Sequence, residues 1–295
     1  MMTNKLFNSS ISSTDRSYLL IRDDPRFSQK KDFLENCWKD YAPYADPGFE
    51  QEISIDFRSR FWEMYLCCTL IHMGFEIVPK KDSEGPDIQI KLRNGQSLWI
   101  EATLTRPGTG ADAVPEEPLD EVYSPPGEKY LLRFLNSIDT KHKRLIKYRS
   151  EEIVKPNDLF MVAVNGFFAH SSGGEIPYIV QALYGFGDYF ATINIDSLQI
   201  LNQGYIKRAL IKKQNNSEVS ANAFVDRKTP ELSGVIYSDA EAFNLPPSFG
   251  SDFIFVHNPT ANHPIPLGWL PVGAEYWVDG QTLRFKRYAP PEINH

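Results

Sequence analysis

The most constraining stretch of the sequence is a helical pattern that runs from Ile55 to Met73 and ends before Gly74. Its apolar side chains recur at three- and four-residue spacing. They are Phe57, Phe61, Met64, Tyr65, Cys68 and Ile71. The helix is apolar nearly all round, and Glu63 is the only charge between Phe61 and Met73. We therefore expect it to be buried and covered by other layers of structure.

The rest of the chain alternates between strand and helix patterns. Strands are predicted at 87–92 and 97–105, a second helix from about Glu128 to Arg149, and a buried strand at 159–167. The later segments predict one short helix, PYIVQALYG, and then strands: YFATINI, YIKRALIKK, ANAFV, SGVIYS, DFIFVHN and a hairpin at Asp279-Gly280. This order predicts an α/β fold with a central mixed β-sheet flanked by helices.

We find no clean linker, and 295 residues suit one elaborated domain. Residues 1–50 are interpreted as an N-terminal arm and a short helix, with about the first 30 forming a loose arm. Residues 51–295 are interpreted as a single α/β domain. Its core spans about 55–165, and a strand-rich extension spans 166–295.

Composition narrows the class of protein. Lys and Arg number 31 against 38 Asp and Glu, a net charge of −7, which excludes a globally basic DNA-coating protein. Three cysteines, Cys37, Cys67 and Cys68, form neither a disulfide framework nor a zinc site. The sequence contains no apolar run long enough to span a membrane and no secretory signal at the N-terminus, so we expect a cytoplasmic protein without a membrane partner.

Three carboxylates stand out by their context. Glu63 lies in the apolar helix, Asp87 follows Pro86 at a strand start, and Glu101 lies mid-strand among apolar residues. A buried carboxylate is costly unless it is paired or binds a metal. Taken singly, Glu63 could pair with Arg60 and Asp87 could be a turn residue. Of the three carboxylates, Glu101 most strongly indicates a functional role.

The hairpin loop decides whether Asp87 and Glu101 share a face of the sheet. A two-residue loop, Asn94-Gly95, pairs Asp87 with Ala102 and separates the carboxylates. A three-residue loop that begins at Arg93, with Gly95 left-handed, pairs Asp87 with Glu101. Both loops suit the sequence. The three-residue loop is favoured because it keeps Ile88, Ile90, Ile100 and Ala102 on one apolar face.

Two convergent carboxylates suit Mg²⁺ or Mn²⁺, and such a cation can polarise a phosphoryl oxygen. The arrangement resembles the PD-(D/E)XK superfamily of restriction-endonuclease-like nucleases, through Glu63, Pro86, Asp87 and Glu101 and through the order of elements over 55–165. The resemblance implies a Mg²⁺-dependent endonuclease that hydrolyses DNA phosphodiester bonds. It also implies that Asp87 and Glu101 hold the metal while Glu63 positions the metal or a water.

The chain departs from the family at one position, because Thr103 stands where the family has lysine. We considered two substitutes for the missing positive charge. Lys91 shares a face with Asp87 in the favoured register. Lys141 is the better candidate, because it lies on the apolar stripe of the second helix, between Ile138 and Leu145.

The second helix also carries a basic run, in which Lys143, Arg144 and Lys147 are candidates for contacting a phosphate backbone. A solvated helix face is the ordinary interpretation of such a run. Two alternatives to a nuclease stay open. One is a catalytically inactive member of the same fold that binds nucleic acid or protein. The other is an unrelated α/β protein, in which Glu63 and Glu101 are each paired with a cation and sealed from water.

Overall fold

The structure is a computed structural model that describes residues 5–80, 85–118, 125–169, 176–226 and 228–289. Its α-helices are α1 (Arg16–Asp23), α2 (Ser28–Tyr41), α3 (Phe49–Ile53), α4 (Phe57–His72), α5 (Gly127–Ser150) and α6 (Tyr178–Tyr184). Its strands are β1 (Ile88–Lys91), β2 (Ser97–Leu104), β3 (Leu159–Asn165), β4 (Phe186–Ile193), β5 (Ile200–Lys207), β6 (Leu210–Lys212), β7 (Glu218–Ser220), β8 (Gly234–Ser238), β9 (Ile254–His257), β10 (Ala274–Asp279) and β11 (Thr282–Arg287).

A seven-stranded mixed sheet organises the chain, in the order β1-β2-β3-β8-β9-β10-β11. The central strands β2, β3 and β8 are parallel, and β1 is antiparallel to β2 at one edge. Strand β9 turns back antiparallel to β8, and a β10–β11 hairpin closes the other edge. The predicted α/β class with a central mixed sheet is confirmed.

Helices cover both faces of this sheet. Successive side chains of β3 point to opposite faces, so Met161 and Ala163 pack with α1–α4 while Phe160, Val162 and Val164 pack with α5 and α6. Every residue of β3 is buried. The buried α4 is thus enclosed by the sheet and by other helices, as its nearly uniform apolar surface predicts.

The β1–β2 hairpin adopts the three-residue loop. Ile88 pairs with Ile100 and Lys91 with Ser97, and the amide of Leu92 donates to the carbonyl of Gln96. Gly95 has a φ of +85°, which side chains other than glycine rarely adopt. The favoured register is therefore confirmed, and Asp87 and Glu101 are the next opposed pair.

Replacing Gly95 with alanine tests this loop. Nothing lies within 4 Å of a Cβ built at Gly95, so the substitution adds backbone strain without a clash. We expect a loss of about 1–2 kcal/mol of unfolding free energy, the cost of left-handed backbone in an L-residue. Chemical denaturation measures it. Arg93→Ala, in the same exposed loop, is the control and should change little; equal effects for both variants would contradict the loop assignment.

The N-terminal residues differ from the prediction of a loose arm. Leu6 and Phe7 are buried, and their amides donate to the carboxylate of Glu35 on α2. Helix α1 begins at an Asp15 cap and buries Tyr18 and Ile21. The reason is tertiary, because these apolar side chains lie in a polar segment of weak periodicity and pack against each other and against distant residues such as Phe57 of α4.

Two small sheets interrupt the chain between α6 and β8. Strands β4 and β5 form a two-stranded antiparallel unit, which with its connecting loop we call the ribbon (residues 186–207), and β6 pairs with β7. The predicted strand ANAFV is wrong. Residues 221–225 form turns, since Ala221 and Phe224 are buried at a three-residue spacing rather than in alternation. No helix within the described ranges is long and apolar enough to cross a membrane.

Candidate active site

Glu101 is the centre of an ion-pair cluster between the sheet and α5. It is 1% exposed and projects from the middle of β2 on the face that carries α5. Its Oε1 accepts from Lys141 Nζ at 2.7 Å and from Arg144 Nη1 at 2.9 Å, and its Oε2 accepts from the Tyr148 hydroxyl at 3.2 Å. These three partners are spaced three and four residues apart, so they lie on one side of the helix.

Asp87 lies opposite Glu101 and has a different environment. Its Oδ2 accepts from the backbone amide of Ala102 at 2.6 Å. Although the residue as a whole keeps partial exposure, burial of the carboxylate raises the pKa of Asp87 to about 8, with further contributions from the negative charges of Glu101 and Glu63. Within the described ranges, which leave out 81–84, no Lys or Arg forms an ion pair with Asp87.

Glu63 is held apart from this pair. It lies on α4, where it accepts from the Tyr41 hydroxyl and from Arg60, both at 2.5 Å. Burial raises the pKa of Glu63 despite the charge of Arg60. Its charge affects Asp87 less than that of Glu101 does. The structure therefore joins Lys141 to Glu101 directly and places Asp87 opposite Glu101 in the β1–β2 register, while Glu63 is bound to Arg60 and Tyr41.

Lys80 is a cation near the site that the sequence analysis missed. Residues 76–80 run beside β1: Ile77 bridges to Ile90, and the Val78 amide donates to Gln89. Extending that register places Lys80 opposite Asp87. Its ammonium lies 2.9 Å from Asp46, and its charge, after that of Lys141, lowers the pKa of Asp87. Proximity to β1 is a tertiary property, and no local pattern indicated it.

Three of the other predicted site residues lie away from Asp87 and Glu101: Lys91, Lys143 and Lys147. Lys91 is exposed on β1, roughly 13 Å along the strand from Asp87 at the usual rise per residue. Lys143 and Lys147 are exposed on the outer side of α5 and pair with Asp139 and Glu151. Arg144 differs from these lysines, because its guanidinium is bound to Glu101 while its side chain stays 55% exposed.

The two carboxylates, Asp87 and Glu101, could supply only part of the ligands of a divalent cation. No group of three or more His, Cys, Asp or Glu side chains that could hold a metal occurs in the described part of the chain. Asp87 and Glu101 are a two-carboxylate set, and Mg²⁺ commonly uses one or two carboxylates together with waters and substrate phosphates. Each carboxylate offers about four lone-pair positions, more than the hydrogen bonds here occupy. Burial raises the pKa of Asp87 most, and the negative charges of Glu101 and Glu63, which a cation would offset, raise it further.

Comparison of the chain with protein-family models, with curated proteins and with solved structures found no match.

Proposed function

We propose that this protein is a divalent-metal-dependent endonuclease of the restriction-endonuclease-like class that hydrolyses DNA phosphodiester bonds. Its core would be the α4–β1–β2–α5–β3 unit, with residues 76–80 alongside β1 in the place of the first strand of the αβββαβ order that the class has. The apolar helix covers one face of the β1–β2 hairpin, and α5 covers the other.

The contact between Lys141 and Glu101 carries the proposal. Thr103 cannot supply the positive charge that follows the strand glutamate in this class of nuclease. The ammonium of Lys141 reaches Glu101 Oε1 at 2.7 Å from another element, α5. A lysine that is 13% exposed beside two carboxylates is positioned to stabilise negative charge on a phosphate.

Asp87 and Glu101 would hold the cation, which when bound polarises a phosphoryl oxygen. The protein's own groups then orient and balance the site. Lys141 and Arg144 occupy Oε1 of Glu101 and Tyr148 donates to Oε2, so the carboxylate is fixed in place and one lone pair stays free, on Oε2. The pKa of Asp87 is about 8, mainly because its carboxylate is buried, so a proton would compete with a cation for this carboxylate at neutral pH. Cleavage should therefore require less metal as the pH rises toward 8.

The test is cleavage of supercoiled plasmid, single-stranded DNA and RNA by the full chain in Mg²⁺ or Mn²⁺. Chelation of the metal should stop the reaction. Asp87→Asn, prepared in parallel, is the control for contaminating nuclease, since its amide keeps an acceptor for the Ala102 amide but removes the charge. Cleavage of DNA by the wild type alone supports the proposal. If the wild type cleaves none of these substrates with either metal, the proposal fails.

An unrelated α/β binding protein, in which these carboxylates are structural, is the second candidate. One observation favours it: Glu63 and Glu101 are both buried and both paired with cations, as purely structural carboxylates would be. Such a protein would bind nucleic acid or a partner protein without cleavage. An electrophoretic mobility shift in the absence of any cutting, unchanged in Asp87→Asn, would select this candidate.

A further inference from the structure

Exposed apolar side chains concentrate on the ribbon. Thirteen large hydrophobic residues are exposed in the described chain, and seven of them lie between 189 and 206. These seven are Tyr189, Ile193, Ile195, Leu198, Ile200, Leu201 and Ile206. Ile195 and Leu198, in the loop that joins β4 to β5, are 89% and 79% exposed. Scattered apolar residues on a surface are ordinary, but a contiguous set of this kind marks an interaction site.

The ribbon also leaves strand edges open. Strands β4 and β5 pair only with each other among the described residues, so each has an outer edge of unpaired backbone groups. Proteins usually protect such edges with charge, proline or a covering element. The ribbon contains no proline and three charges, Asp196 in the loop and Asp188 and Lys207 near the base. Between 189 and 206 the two strands carry no charge. An unprotected apolar edge is therefore suited to pairing with another strand.

The charge of the ribbon argues against nucleic acid as its partner. Binding to a phosphate backbone depends on Lys and Arg. The ribbon has neither between 189 and 206, and its one charge there is negative. Its first basic residue, Lys207, lies at the base, where the ammonium is 4.4 Å from the ring centroid of Phe186.

We propose that two copies of this chain associate through their ribbons, edge to edge about a two-fold axis. An edge strand that pairs antiparallel with its own copy is self-complementary, as a two-fold interface requires. A fully exposed Ile or Leu offers roughly 60–120 Å² of apolar surface. The seven side chains together then offer on the order of 300–500 Å². A standard interface buries about 450 Å² of apolar surface on each partner, so the ribbon is large enough.

Light scattering coupled to gel filtration, over a concentration series of the full chain, tests the dimer. We expect twice the mass of the chain for the wild type. Ile193→Lys on β4 and Leu201→Lys on β5 test the two edges, and the lysine on the edge that pairs should raise the dimer dissociation constant about tenfold or more, because a buried, unpaired ammonium opposes association. Both side chains are exposed, so the fold should be retained. Unchanged circular dichroism and melting temperature would check this.

Leu267→Lys is the matched control, because Leu267 is an exposed leucine outside the ribbon. It should leave the dimer intact. A wild type that stays monomeric at every concentration overturns the proposal, whatever else the ribbon then binds. A dimer that both ribbon variants retain also overturns it. Neither outcome depends on nuclease activity, so this inference and the proposed function can fail separately.

Discussion

Replacing Lys141 with methionine is expected to lower metal-dependent DNA cleavage by about 10²–10³-fold, the usual effect of removing one group that stabilises charge in a transition state. Methionine keeps most of the aliphatic stem and removes the ammonium. Glu101 retains Arg144 and Tyr148, so the variant does not leave a buried carboxylate without a partner. The initial rate of plasmid nicking at saturating Mg²⁺, together with a melting curve, measures the effect on a folded protein.

Two controls on the same helix separate this effect from a general loss of positive charge. Lys143→Met and Lys147→Met remove the same charge from exposed positions that pair with Asp139 and Glu151. We expect small changes in rate, since each variant loses at most one phosphate contact. A drop as large as that of Lys141→Met would show that α5 acts through overall charge rather than through one ammonium.

A rescue experiment tests whether an ammonium on β2 can replace that of Lys141. Thr103 lies on the same face of β2 as Glu101, at the position where the restriction-endonuclease-like class has lysine. Adding Thr103→Lys to Lys141→Met should restore part of the lost activity, because an ammonium again reaches the carboxylates. If Lys141→Met cleaves normally while Asp87→Asn does not, the role assigned to Lys141 is wrong.

Replacing Asp87 with asparagine is expected to stabilise the fold at pH 8 and to change little at pH 4. The pKa of Asp87 is about 8 in the folded protein and about 3.9 in an unfolded chain. Between these values the folded state keeps a proton that the unfolded state has released. Wild-type stability therefore falls as the pH rises from about 4 to 8. Asparagine carries no charge between pH 4 and 8, so the variant does not lose this stability as the pH rises.

The expected gain in the unfolding free energy of Asp87→Asn follows from the pKa shift of Asp87 and from solvent screening. One pKa unit corresponds to about 1.4 kcal/mol. Asp87 is partly exposed, so we expect a gain of about 1–3 kcal/mol at pH 8 rather than the full sum. Urea denaturation between pH 4 and 8 measures it. Asp139→Asn is the control, since its exposed carboxylate pairs with Lys143.

Mg²⁺ provides a second readout that does not depend on activity. A cation that binds only the folded state raises stability. The wild type should therefore gain melting temperature in Mg²⁺ at pH 8, and Asp87→Asn should not. A wild type whose stability relative to Asp87→Asn is constant from pH 4 to 8 would show that neither burial nor the charge of Glu101 raises the pKa of Asp87. The main evidence that Asp87 and Glu101 form a functional pair would then be lost.

The local sequence pattern was sufficient to predict most of the helices and strands around the site. The apolar repeat of α4, the hairpin signal at Asn94-Gly95 and the amphipathic stripe of α5 each identify an element from neighbouring residues alone. The stripe also placed Lys141 toward the core and Lys143 outward, as the structure has them. The failures lie where burial depends on distant partners, as at Leu6 and Phe7, which pack near Glu35 on α2.

By itself the sequence determined the α/β class, the α4, β1, β2, α5 and β3 elements, and the alternation that favours a shared face for Asp87 and Glu101. Periodicity carries that information because it follows from backbone geometry over a few residues. Only the tertiary structure decided that Lys141 and Arg144 both bind Glu101 and that Lys80 comes beside Asp87. The Glu63–Arg60 pair within α4 was one of the alternatives that the sequence left open, whereas only the tertiary structure added Tyr41 of α2. Each of these tertiary contacts depends on which helix or strand covers which face, and the energy of a buried charge is set by those neighbours rather than by its place in the chain.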